Sequence, residues 1–391
     1  MNVLVLGGCG IQGRTAVCDL SGCRNISSVI CADSNPTAFA AIEPFVEMSK
    51  IDLVELDVLD ESSLDALFKK ADIAIDLLPR KYAEKIGHAA VRNGVSIVNS
   101  NYSSSISHLD QAARSAGVAI MPECGLDPGI DLILYGHAAR LFDELHLINS
   151  YCGGFPEKKA CDNPLNYKIS WIWDGVLNST KRSGRLIKNN RIVDVSAQEQ
   201  HLEKNIHHID FPDLGRLEAI PNGDAVLFTD LLGVTSTIGE TGRYTLRWPG
   251  WSAFWRPLKA LDFLSDDPVP GLPGDISPHQ FLTTFLEPRL QYRNDEKDLV
   301  VMLNIFEGLK DGKKMRLTSR LVIERDLDTG IMAMSKGVGY PASIVAQMMA
   351  GGEIPEKGVL SPLQHVPYPS FASKLNDRGI VLEELFETLT D

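Results

Sequence analysis

Three features are scarce in this 391-residue chain, and each scarcity excludes a class of function. No stretch approaches the roughly 18 to 20 consecutive apolar residues that span a bilayer, so no membrane partner is expected. The seven cysteines (9, 18, 23, 31, 124, 152 and 161) contain no Cys-x-x-Cys pair and no His-x-x-His companion, which leaves neither a disulfide framework nor a metal site. Basic charge is short: 38 Lys and Arg against 51 Asp and Glu give a net −13, too acidic for a nucleic-acid partner. The opening residues, Met1 to Gly8, pass from four apolar residues into glycine without a basic segment, unlike a secretory leader. A cytoplasmic location with reduced thiols is therefore expected.

The remainder is an ordinary globular composition, 44% hydrophobic and 23% charged. At roughly 150 residues per domain, the length predicts two or three domains. The most informative local signal is Gly8-Cys9-Gly10-Ile11-Gln12-Gly13, which follows an apolar run at 2–6 and opens a helical pattern at 11–21. A Gly-x-Gly-x-x-Gly turn in that context binds dinucleotide pyrophosphate: Gly8 permits the turn, Gly10 the approach of phosphate, and Gly13 the packing of helix on strand. A second apolar run, 29–32, ends at Asp33 and Ser34. A carboxylate there accepts hydrogen bonds from ribose hydroxyls and repels a 2′-phosphate, which predicts NAD rather than NADP.

Strand and helix patterns alternate to about residue 121, as in a doubly wound parallel sheet of Rossmann type. Ligands lie beyond the carboxyl ends of such strands, so Asp57, Val58, Leu77, Leu78 and Pro79 join Gly8, Gly10, Ile11, Gln12, Gly13, Asp33 and Ser34 as predicted cofactor contacts. From about 145 the chain turns strand-rich. Segments 145–151, 167–173, 244–248, 299–306 and 315–324 read as strands, and 186–193 as a hairpin with Asn189-Asn190 at its turn. Pro341 reads as the start of a helix over 342–350, closed by Gly351-Gly352. The expected organisation is a dinucleotide-binding domain (1–125), an inserted α+β substrate domain with a mixed or antiparallel sheet (126–337), and a segment returning to the first domain (338–391). His88, on the 83–92 helix, reads as a packing residue.

Four strings resemble the saccharopine dehydrogenase (saccharopine reductase) family: Gly125-Leu126-Asp127-Pro128-Gly129-Ile130-Asp131, Ser150 to Pro156, Asp162 to Trp171, and Thr245 to Trp248. They occur in the family's order along nearly the whole chain. The resemblance implies an NAD(P)-dependent oxidoreductase acting on a C–N bond of a lysine-derived amino acid, working as a homodimer. Neighbouring branches include lysine 6-dehydrogenase and carboxynorspermidine dehydrogenase, and a nucleotide-binding regulatory protein without turnover is the alternative of another class.

The resemblance carries substrate contacts onto Asn101, Tyr102, Asp127, Thr245, Leu246 and Arg247. Where saccharopine reductases read Pro-Asn-Arg-Asp-Ser, this chain has Pro221-Asn222-Gly223-Asp224-Ala225, so an arginine that holds a substrate carboxylate is replaced by glycine. Arg182 and Arg185, in a run similar to one in the lysine 6-dehydrogenase branch, either replace that cation or bind a substrate with fewer carboxylates. Hydride transfer from an amine-bearing carbon needs the amine unprotonated and a group to relay protons. Asp127, Tyr102 and Cys152 are the candidates for that catalytic role.

Overall fold

The computed structural model describes residues 1–271 and 274–389. They form two units, Met1–His137 with Asp328–Val381 and Ala138–Leu327 with Leu382–Asp391.

The first unit is built on a seven-stranded parallel sheet. Strands β1 (Asn2–Leu6), β2 (Ser28–Asp33), β3 (Ile51–Glu55), β4 (Ile73–Asp76), β5 (Ser96–Asn99) and β6 (Ala119–Met121) alternate with helices α1 (Ile11–Gly22), α2 (Glu61–Phe68), α3 (Ala83–Asn93) and α4 (Asp110–Ser115). The order is Gly358–Val359, β6, β5, β4, β1, β2, β3, so the chain reverses direction across the sheet beside β1, where doubly wound folds bind ligands. Val3 to Leu6 are wholly buried, as expected for a central strand covered on both faces.

Helix Ala333–Ala350 packs on α1, and small residues set the distance. A Cβ at Gly339 would stand 2.7 Å from Thr15 Cβ and 2.8 Å from the Gln12 carbonyl. A bidentate pair fixes the same face: Arg378 Nε and Nη2 donate to Asp19 at 2.7 and 2.9 Å. This helix begins nine residues before the predicted start and carries Pro341 in its interior. Packing over nearly its whole length outweighs the helix-breaking preference of Gly337, Gly339 and Pro341.

The second unit is organised by a ten-stranded sheet. Its strands are β7 (Glu144–Pro156), β8 (Gly184–Lys188), β9 (Arg191–Val195), β10 (His207–Phe211), β11 (Gly215–Pro221), β12 (Gly223–Asp224), β13 (Glu240–Arg247), β14 (Asp298–Lys310), β15 (Lys313–Glu324) and the segment Glu383–Thr388. The main path runs β10, β11, β13, β7, β14, β15 and then Glu383–Thr388. β7 and β13 pair in parallel, while most other neighbours are antiparallel. Asn189 and Asn190 take left-handed φ values of 50° and 60° at the β8–β9 turn, as a two-residue hairpin loop requires.

Two expectations fail here. The last residues do not follow 328–381 into the first unit, because Glu383–Thr388 adds to β15 as an edge strand. Residues 167–172 are not a strand but an irregular loop leading into helix Trp173–Ser179. The Asn163 side-chain carbonyl accepts from Leu165 N at 3.0 Å and Tyr167 N at 3.4 Å, and Asn166 takes a φ of 48°, so local side-chain bonding wins over extension.

That loop is anchored by Lys168, whose ammonium is buried against both Glu296 oxygens at 2.8 Å and Asp162 at 3.0 Å. Burial pushes the Glu296 carboxyl up, but hydrogen bonds from Lys168 and the Arg293 N–H outweigh it and leave it below the usual range. A carboxyl whose folded-state pKa is lowered contributes stability above its unfolded pKa, and that contribution disappears as pH falls through the folded value. Replacing Lys168→Met should destabilise the unit by about 2 kcal/mol, because it leaves the buried Glu296 carboxylate with Arg293 as its only remaining partner among the described residues, and the deficit should narrow as the solution is acidified. All five tryptophans lie in this unit, so urea unfolding followed by tryptophan fluorescence reads the effect directly.

Candidate active site

At the end of β1 the left-handed residue is Gly7, with a φ of 76°, rather than Gly8. Gly8 is required for another reason: a Cβ there would meet Cys31 Sγ at 2.5 Å. Gly13 is the tightest position, since its Cβ would stand 2.1 Å from the Gly7 carbonyl oxygen. Gly10, at the N-cap of α1, is exposed and has extended backbone, and no side chain caps the helix. Ile11 is exposed and Gln12 half-buried beside it. This leaves the positive end of α1 open above a flat glycine surface, which fits a pyrophosphate.

Asp33 closes one side of the turn. Its Oδ2 accepts from Cys9 N at 3.0 Å and its Oδ1 from Asn35 N at 2.9 Å, while Ser34 is exposed. On the other side, Leu77 and Leu78 lie against Gly7: a Cβ at Gly7 would reach Leu78 Cδ2 at 3.0 Å and the Leu77 carbonyl at 3.3 Å. Pro79 follows, exposed. Asp57 is an exposed turn residue whose carboxylate accepts from Leu59 N, and Val58 turns inward into the core. Val58 is therefore not a side-chain contact for a ligand.

Two carboxyls near these strand ends escaped the sequence reading. Asp76, at the end of β4, is buried, and desolvation raises its pKa to about 7 despite a hydrogen bond from Leu78 N. Glu123, just beyond β6, is buried in a left-handed conformation and accepts from both the backbone N and the hydroxyl of Ser103 at 3.1 and 3.0 Å. Its own N–H donates to the Asn101 carbonyl, which ties the segment carrying Asn101 and Tyr102 to the Pro122–Asp131 segment. An acid directly after an apolar run was the only signal available for either. Asn101 Nδ2 is buried without a hydrogen-bond partner, and Tyr102 is half-buried.

Asp127 sits in a closed loop. Gly125 N donates to the Pro128 carbonyl and Ile130 N to the Gly125 carbonyl, and a Cβ at Gly129 would lie 1.9 Å from the Gly125 oxygen. The following helix, α5 (Ile130–Leu141), starts three residues beyond Asp127, and the loop amide of Gly129 is bonded by Asp131 instead. Asp127 is half-buried.

In the second unit, β13 sorts its side chains by alternation. Tyr244, Leu246 and Trp248 enter an apolar cluster with Tyr151 and Phe155, so Leu246 cannot offer its side chain to a substrate. Arg243, Thr245 and Arg247 occupy the opposite face. Cys152 pairs in register with Thr245 and lies inside β7 rather than after it, buried.

Arg247 is the most unusual group of this face. Its guanidinium is 5% exposed and lies over the rings of Tyr167 and Trp251, 5.3 and 5.0 Å from their centroids. Nη1 donates to the Leu246 carbonyl at 2.8 Å, and Nε is buried without a partner. Among the described residues no carboxylate lies within ion-pair distance of it. Desolvation lowers its pKa, and burial together with the charges of Lys259 and Arg247 pushes nearby His201 down to about 3, so that imidazole is neutral. Tyr167, Trp251 and His201 were not singled out from sequence.

Arg182 and Arg185 line an open groove of about 470 Å³ with Gly223. Arg185 is exposed and shared between Asp194 and Asp224, each at 3.6 Å. Arg182 is half-buried and donates to Asn222 Oδ1 at 3.3 Å. Gly223 has a φ of 73°, and a Cβ there would meet nothing within 4 Å.

A parallel sheet with an open glycine turn has the form of a pyridine-nucleotide-binding unit, joined in one chain to a unit whose buried Arg247 faces no acid among the described residues, and the comparisons make the chain a pyridine-nucleotide-dependent dehydrogenase. Residues 3–121 match the saccharopine dehydrogenase NADP binding domain and residues 125–380 the saccharopine dehydrogenase C-terminal domain. The chain belongs to the saccharopine dehydrogenase family, the one its strings resemble. Saccharopine dehydrogenase (NADP+, L-glutamate-forming) of Saccharomyces cerevisiae is 28% identical over 98% of both chains, and the Pyricularia oryzae protein of the same name is 28% identical over 83% of this chain and 84% of its own. The solved apo, histidine-tagged saccharopine dehydrogenase (L-Glu forming) from Saccharomyces cerevisiae superposes with a TM-score of 0.84 at 27% identity, covering 100% of each chain. No helix among the described residues is long and apolar enough to cross a membrane.

Gly13→Ala forces backbone against backbone and should abolish the fluorescence enhancement of bound reduced nucleotide. Tryptophan-monitored unfolding of the second unit should remain as in the parent protein; retained nucleotide binding would refute this account of the turn.

Proposed function

We propose that this protein interconverts saccharopine with glutamate and 2-aminoadipate semialdehyde. The observation that carries the reading is the buried Arg247 guanidinium, which has no acidic partner among the described residues and is suited to a substrate carboxylate. In the oxidative direction a C–H hydride leaves the amine-bearing carbon, the resulting imine adds water, the C–N bond breaks, and a proton is released. A nicotinamide nucleotide held at the glycine turn would supply the acceptor for that hydride. Asp127 binds the substrate nitrogen and takes its proton, Tyr102 and Asn101 hydrogen-bond the amino acid, and the Asn101 Nδ2 without a protein partner supports that role. Thr245 and Cys152 line the Arg247 face. Arg182 supplies the second cation, in place of the arginine absent at Gly223; Arg185 is already neutralised by two carboxylates.

Asp33 supports NAD as the preferred nucleotide, since residues 34–41 contain no Lys or Arg to receive a 2′-phosphate, although the matched family model and relatives carry NADP in their names. Family resemblance supports a homodimer, and seven cysteines outside any disulfide suit the cytoplasm.

Three mixtures separate the readings: oxidised nucleotide with saccharopine, oxidised nucleotide with lysine, and reduced nucleotide with aminoadipate semialdehyde plus glutamate. A change in nicotinamide absorbance with the first and third supports the proposal. Turnover of lysine alone identifies a lysine 6-dehydrogenase, a reading favoured by Gly223, and binding without turnover a regulatory protein. Arg247→Met should raise KM for saccharopine about 30-fold, the equivalent of about 2 kcal/mol, and leave the unliganded protein at least as stable because a desolvated charge is removed. A merely structural arginine would instead lower stability and spare KM. Asp33→Ala should weaken NAD much more than NADP in a direct binding titration; equal losses would contradict the assignment.

A further inference from the structure

Outside these groups, one cluster in the first unit has the donors for a different ligand. Glu84 and His88 stand at i and i+4 on α3, so their side chains share one face of the helix. His88 is exposed rather than packed, contrary to its sequence reading. His108 comes from a single helical turn, Ser107–Leu109, and its Nε2 lies 3.3 Å from Glu84 Oε1. The His88 and His108 rings are 6.1 Å apart between centroids and inclined at 57°. One ligand atom from each of the three residues falls within 4.8 Å of the other two.

Gly87 lies where the Ser107–Leu109 turn packs on α3. A Cβ at that position would come 2.7 Å from Leu109 Cδ1, so glycine lets the Leu109 side chain lie directly on the helix. The two elements are thus packed together under the cluster, while its three side chains remain exposed and able to adjust. Ligands at roughly 2.1 Å from a tetrahedral ion stand on the order of 3.4 Å from one another, a separation that the Glu84–His108 pair already has. Rotation of exposed side chains supplies the remainder. Two imidazole nitrogens with one carboxylate oxygen suit Zn²⁺, Ni²⁺ or Cu²⁺ better than Mg²⁺ or Ca²⁺, which favour all-oxygen sites.

We propose that Glu84, His88 and His108 form a surface site for a divalent transition-metal ion, which fastens the Ser107–Leu109 turn to α3. Water completes the coordination. The turn follows the segment bearing Asn101 and Tyr102, so the ion would restrain that segment from outside without touching substrate.

The test uses the full chain without a histidine tag, titrated with Ni²⁺ alone by calorimetry. One ion should bind per chain, and the thermal midpoint should rise by a few degrees because the ion binds only the folded state. His88→Ala and His108→Ala should each remove both effects, Glu84→Gln should weaken them, and alkylating the accessible cysteines should change neither. The proposal is overturned if the parent protein binds no ion, if the His88→Ala/His108→Ala double variant binds as the parent does, or if alkylation alone removes binding.

Discussion

A guanidinium held out of water with no carboxylate among the described residues to face it is costly, and the second unit is arranged to meet that cost. Moving such an ion from water into protein is worth several kcal/mol against folding. The faces of Tyr167 and Trp251 and the Leu246 carbonyl return part of it through cation–π attraction and one charge-assisted hydrogen bond. Tyr167 can take its place only because the Asn163 turn and the buried Lys168–Glu296 pair hold an otherwise irregular loop still. That ion pair is therefore best understood through what it positions. An apolar pair of similar volume would stabilise the fold as well, but it would not fix the loop by charge.

The first unit solves a different problem, close approach, with glycine. Gly13 lets α1 sit on the Gly7 carbonyl, and Gly339 lets helix Ala333–Ala350 sit on α1. Helix α1 is thus located from both sides, with Asp19 and Arg378 locking the far end. Asp33 completes the turn by accepting from Cys9 N, so the carboxylate at the end of β2 shapes the loop.

Much of this was legible where the determinant was local. The apolar run and helix at residues 2–22 depend on neighbours in sequence, as does the Asn189-Asn190 hairpin, and these form as read, although Gly7 rather than Gly8 makes the left-handed turn between them. Arg247 was legible from its family string and from alternation along a strand. Leu246, taken from the same string, belongs to the opposite face, which strand alternation by itself implies. What was hidden depended on distant partners. Helix Ala333–Ala350 overrides its glycines and Pro341 through packing on α1; residues 167–172 leave the sheet because Asn163 bonds their backbone; Glu383–Thr388 finds an open edge at β15. Asp76 and Glu123 are single acids in sequence, and only burial reveals them.

The central claim is that Arg247 waits for a substrate carboxylate. A crystal structure of the chain with reduced nucleotide and saccharopine tests it most directly. The account predicts a ligand carboxylate accepting from Arg247 Nε, with the rings of Tyr167 and Trp251 still against the guanidinium. A protein carboxylate or water on that nitrogen, with the ligand bound elsewhere, would contradict it.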